Sequence, residues 1–188
     1  LHRLWYVGGR YAYASALLDG FTDYIFVTID MADPTRPQLL GRWWLPGMNQ
    51  AAGETPRAPP GRRRALHHVL VHGDTAYACW RDGGEIDYAK KPGHFGPHNL
   101  HENGPGSFVS DRLVFATWQN AGIRVFDLSD PYRPVEAGAL VPAAPKRMTD
   151  KRPGRPQVIQ SADVFVDAQG LVYATDDNAG LEIIEYDG

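Results

Sequence analysis

The feature that most constrains this chain is an internal repeat. Leu113-Val114-Phe115-Ala116-Thr117-Trp118-Gln119-Asn120-Ala121-Gly122 aligns without a gap on Leu171-Val172-Tyr173-Ala174-Thr175-Asp176-Asp177-Asn178-Ala179-Gly180. Each copy alternates in character, closes on Asn-Ala-Gly and runs into a second stretch, Ile123-Arg124-Val125-Phe126-Asp127 or Leu181-Glu182-Ile183-Ile184-Glu185. Apolar alternation followed by a glycine-bearing turn is the pattern of a β-hairpin. A module that recurs in this way buries its apolar faces against its neighbours, so repetition constrains architecture more than any single segment does.

A second alignment supplies the other half of the module. Ile29-Asp30-Met31-Ala32-Asp33-Pro34-Thr35-Arg36-Pro37 matches Phe126-Asp127-Leu128-Ser129-Asp130-Pro131-Tyr132-Arg133-Pro134, with Gly41 then opposite Gly138. Proline removes a ladder donor and fixes φ, and the preceding Asp can accept from the amide two residues on. This element therefore reads as the turn between third and fourth strands, the latter at 39–45 and 135–141, with its aspartates structural. First strands are expected at 4–9, 65–74 and 161–167, with another beginning near Leu100. Second strands near Tyr13, Tyr77, Phe115 and Tyr173 mark four modules. No long amphipathic helix is visible. Short, evenly spaced strands leave a sandwich or a propeller, and repetition of one unit selects an all-β propeller of four-stranded antiparallel blades.

The second-strand motif Tyr-Ala-x-x ending in Gly, an apolar strand ending in Asp, and Asp-Pro-x-x-Pro together resemble the LVIVD-repeat family of β-propellers over most of the chain. The resemblance implies blades around a central channel, seven in full-length relatives, and says little about activity. A more distant likeness is to the selenium-binding-protein (methanethiol oxidase) propellers, whose channel histidines hold metal. The sequence departs from the pattern after Trp80-Arg81-Asp82-Gly83-Gly84. Third and fourth strands should follow there, yet Glu85-Ile86-Asp87-Tyr88 leads almost directly to the next first strand. The expectation is an incomplete part of a seven-bladed ring, treated as one domain over 1–188, with a segment absent between Gly84 and Glu85. The alternative is a four-bladed ring with one degenerate blade.

Composition narrows the partners. At 188 residues and a formal net charge of −3, nothing suggests nucleic acid, and Arg62-Arg63-Arg64 beside Pro59-Pro60-Gly61 reads as a solvated loop. Cys79 is the single cysteine, which excludes an internal disulfide and a cysteine metal cluster and leans toward a reducing compartment. No apolar run reaches membrane-spanning length. The chain opens at Leu1 rather than Met, which is compatible with processing and leaves the compartment open.

The histidines are grouped. Aligning Leu100 with Val69 sets His98 opposite His67 and Asn99 opposite His68, with Ala162 and Asp163 at the same positions later. In a propeller the beginnings of first strands meet at one mouth of the channel. His67, His68, His98 and His101 are therefore candidate ligands for a divalent transition metal, with Glu102 as a further ligand, orienting group or general base. The competing reading is that these histidines bond neighbouring carbonyls. Strand parity sets His98 and His101 on opposite faces, so a bulge would be needed for both to reach one ion.

Trp80, Trp118, Gln119 and Asp177, near the second-to-third-strand hairpins, are candidates to line a site for a polar small molecule; alternatively the tryptophans pack between blades. Two functions follow: a metal-dependent enzyme acting on a small organic substrate, or a non-catalytic binding propeller that recognises a protein partner through its Pro-rich loops at 47–64 and 142–156.

Overall fold

The computed structural model describes residues 1–82 and 92–187. Among them every regular element but one 3-10 turn, Gln50–Ala52, is a strand, and no helix is long and apolar enough to cross a membrane. The chain divides into two compact units, Leu1–Glu85 and Ile86–Gly188. The expected break between Gly84 and Glu85 lies outside the described residues.

The N-terminal unit contains β1 (Arg3–Trp5), β2 (Tyr11–Ala16), β3 (Ile25–Asp30) and β4 (Gln38–Trp43), which form a four-stranded antiparallel meander. A second sheet pairs β5 (Ala65–His72) with β6 (Thr75–Arg81). Ala14, Ala16, Ile25 and Val27 of the first sheet share a core with Leu66 and Trp80 of the second. Period-two alternation is what sends these side chains to one face.

The C-terminal unit contains β7 (Leu113–Thr117), β8 (Ile123–Asp127) and β9 (Val135–Leu140) in one antiparallel sheet, and β10 (Ser161–Val166), β11 (Leu171–Asp176) and β12 (Gly180–Glu185) in another. Phe115, Ile123 and Val125 from the first sheet pack on Val164, Val166, Val172 and Ala174 from the second. Burying several such side chains at about 1.5–3 kcal/mol each is what holds one sheet on the other.

The Asp-Pro turns form as the sequence implies. Asp33 and Asp130 each accept from the amide two residues on, that of Thr35 at 3.0 Å and that of Tyr132 at 3.0 Å. Asp30 and Asp127 do the same for Ala32 and Ser129. Among the described residues only the first sheet has the four strands expected of every module. The expected first strand at Leu100 is reduced to an isolated bridge between Leu100 and Ala116, in a segment interrupted by Gly96, Pro97, Gly104 and Pro105. Proline withholds ladder donors there.

Candidate functional site

The beginnings of the first strands are bulged at one recurring position. Register shifts fall between Leu66 and His68 and between Ser161 and Asp163. His98 N–H donates to Thr117 O while Thr117 N–H donates to Asn99 O, so two residues again face one. The extra residues are thus His67, His98 and Ala162, and a bulge frees backbone groups from the ladder.

A second-strand hydroxyl uses these freed groups. Thr117 Oγ1 accepts from Asn99 N–H at 3.1 Å and donates to Ala162 O, across in the neighbouring sheet, at 3.0 Å. Ser15, at the aligned position, accepts from Arg3 N–H at 3.0 Å and donates to His67 O at 3.0 Å. Thr175 accepts from Asp163 N–H at 3.2 Å. Thr117 and Ser15 are fully buried, where an unmet hydroxyl would be costly.

In the C-terminal unit, His98 Nδ1–H donates to Ala162 O at 2.6 Å. His101 is buried between Phe115 and Phe165, whose rings it meets edge-on. Its Nδ1 accepts from Val166 N–H at 3.1 Å and its Nε2–H donates to Phe108 O at 2.9 Å. Phe108 N–H donates to Val166 O at 3.0 Å, which closes the arrangement. The bulge that parity demanded is present, but it turns both rings toward the backbone of β10, at Ala162 and at Val166.

A histidine binds metal through a ring-nitrogen lone pair. The one lone pair of neutral His101, on Nδ1, is taken by Val166. His98 and His101 are tethered to points on β10 four residues apart, at Ala162 and Val166, roughly 13 Å of extended strand. His98 and His101 are therefore not brought to a common point. Among the described residues no group of three or more His, Cys, Asp or Glu side chains is placed to hold an ion.

In the N-terminal unit, His68 is buried on β5 and the His67 ring lies 4.6 Å from that of His2, edge-on. Glu102 is exposed. Trp80 is buried against Trp43, ring centroids 5.6 Å apart, and Trp118 is half-buried against Phe126 at the same separation. Asp177 is exposed, its amide donating to Gln160 O at 3.0 Å. Gln119 is 5 % exposed, carries φ 42°, and bridges Phe95 on one side and Ser161 on the other. Its Oε1, like Oδ1 of buried Asn99, meets no donor among the described residues.

Asp176 accepts from Gln160 N–H, Ser161 Oγ–H, Asn178 N–H and Ala179 N–H. Two residues of the basic stretch form ion pairs: Arg62 meets Asp82, and Arg63, still exposed, grips both oxygens of Asp23 at 2.7 Å. Cys79 is buried, and burial pushes its thiol pKa up, which leaves it without thiolate character at neutral pH.

The 142–156 loop is built rather than slack. Asp150 accepts from Arg152 N–H, Nε–H and Nη2–H, and Arg155 lies 3.3 Å away. Hydrogen bonds from Arg152 chiefly, with both guanidinium charges, hold the Asp150 carboxyl down at about 2. Thr149 N–H donates to Asn178 O, and Gln157 Nε2–H to Pro145 O. Lys146, Arg147 and Lys151 stand exposed on this frame and make no ion pair among the described residues.

No protein-family model, curated protein or solved structure matches the chain.

Proposed function

We propose that the chain is part of a β-propeller of the LVIVD-repeat kind and acts as a non-catalytic recognition module that docks an acidic protein surface on its 142–156 loop. The observation that carries the reading is the pinned loop itself. Asp150 consumes Arg152 and Arg155 as internal braces, while Lys146, Arg147 and Lys151 are left to face outward. A loop fixed before binding loses less conformational freedom on docking, and a local cationic patch on a chain of net charge −3 steers an anionic surface to one place.

Support for the propeller reading comes from paired positions in the two C-terminal sheets. Phe115, Ile123 and Val125 are buried under the next sheet. Their aligned counterparts Leu181 and Ile183 are 58 % and 59 % exposed, and Tyr173 is half-buried. The last sheet thus offers the face that the preceding one uses for stacking.

The test is affinity capture with the parent chain and with a Lys146→Glu, Arg147→Glu, Lys151→Glu variant, followed by cross-linking. The reading expects a stoichiometric partner cross-linked to this loop, lost in the variant and weakened by salt. A partner held equally by both proteins, or bound metal removed by His98→Ala and His101→Ala, would overturn it.

A further inference from the structure

Two side-chain amide oxygens in the interior of the C-terminal unit have no donor. Asn99 is 2 % exposed and Gln119 is 5 % exposed. Neither Oδ1 of Asn99 nor Oε1 of Gln119 receives a hydrogen bond among the described residues. Leaving a buried polar group unmet is costly, and folded interiors hold few of them.

Both residues are fixed to one place. Asn99 lies opposite Thr117, its N–H on Thr117 Oγ1 at 3.1 Å and its carbonyl on Thr117 N–H at 3.0 Å. Gln119 stands two residues further along, which makes the pair diagonal neighbours, roughly 7–8 Å apart and within reach of long side chains. Each also leans on the start of β10. Gln119 O accepts from Ser161 N–H at 3.2 Å, and the Thr117 hydroxyl that carries Asn99 donates to Ala162 O. The donors around them are already committed. Ser161 Oγ–H goes to Asp176, Gln160 Nε2–H to His94 O and Ile159 O, and His98 Nδ1–H to Ala162 O.

The missing group is therefore a donor from outside the chain. Asp176, the carboxylate bonded to Ser161, already accepts from four donors, so no uncompensated negative charge there calls for a cation. We infer that Asn99 and Gln119 share an internal water molecule that donates one hydrogen to each amide oxygen. It joins the segment before Leu100 to the turn after β7, against Ser161 and Ala162 of β10. Internal waters with two to four such bonds are part of the fold and are costly to remove. The site is separate from the 142–156 loop and does not rest on the docking reading.

Water–amide cross-relaxation spectra of the 188-residue chain test the inference, together with urea unfolding of Asn99→Leu and Gln119→Met, singly and combined. A long-lived water is expected to give cross-peaks to the side-chain amides of both Asn99 and Gln119. Each single substitution lowers the folding equilibrium constant about tenfold, because the water loses a bond while the other amide still needs it. The double variant loses less than the product of the two, since both amides and their shared water go together. Absence of the cross-peak at either amide would overturn the inference, and so would losses that multiply. A single substitution that strengthens folding would do the same, because that is the result for a buried amide with no partner at all. The spectra of the parent chain decide the matter even if a variant does not fold.

Discussion

Nδ1 of His101 accepts a 3.1 Å hydrogen bond from the buried backbone N–H of Val166. With Nε2–H given to Phe108 O, the imidazole braces three chain segments rather than presenting a lone pair. His101→Phe keeps an aromatic ring but strands the Val166 N–H and leaves the Phe108 carbonyl only the longer 3.3 Å contact of Ser107 Oγ. The expected loss is about 1–3 kcal/mol, the cost of a buried unmet group. Urea unfolding of the variant measures it; a change below about 0.5 kcal/mol would mean the brace is idle.

Thr117 ties two sheets through one hydroxyl. Thr117→Val removes the acceptor for Asn99 N–H and the donor to Ala162 O at nearly constant shape, while Thr117→Ser keeps both bonds and gives up a methyl. Stability falls in both, by about 1 kcal/mol for the serine variant and about 1–2 kcal/mol for valine. Amide exchange distinguishes them: the Asn99 N–H loses protection in Thr117→Val and keeps it in Thr117→Ser.

These two contacts show what was legible in the sequence and what was not. The strand pattern and Asp-Pro turns could be read because they depend on local alternation and on chemistry within two residues, as Asp33 and Asp130 illustrate. The histidine cluster was visible as a cluster, and its alternative use on carbonyls was foreseeable. Its geometry was not, because a bulge at His98 and the return of Phe108 onto Val166 decide where the rings point. Trp80 shows the same limit: alternation gives a face, while the partner on that face, Trp43, comes from the tertiary arrangement. Gln119 could be flagged near the hairpin, but its positive φ and buried amide have no signature in residue type.

The Asp150 carboxyl is held at about 2, chiefly by Arg152. A folded-state pKa depressed below the unfolded value gives a contribution that is present above the unfolded pKa, near 4, and is lost as pH falls through about 2. The Arg152 amide should therefore hold its chemical shift through pH 4 and move only near pH 2 to 3. A midpoint at the ordinary aspartate value would show that the brace does not form. Asp150→Asn should loosen residues 142–156 and weaken partner binding while leaving the core's unfolding midpoint unchanged.

The C-terminal histidines either hold sheets together or hold an ion. Long-range proton–nitrogen correlation spectra of the imidazoles, recorded with and without one equivalent of zinc, decide it. His101 is predicted to show a neutral ring protonated at Nε2, with both nitrogen shifts unmoved by zinc. Zinc-dependent displacement of the His101 and His98 ring nitrogens, abolished together in His98→Ala, would contradict it.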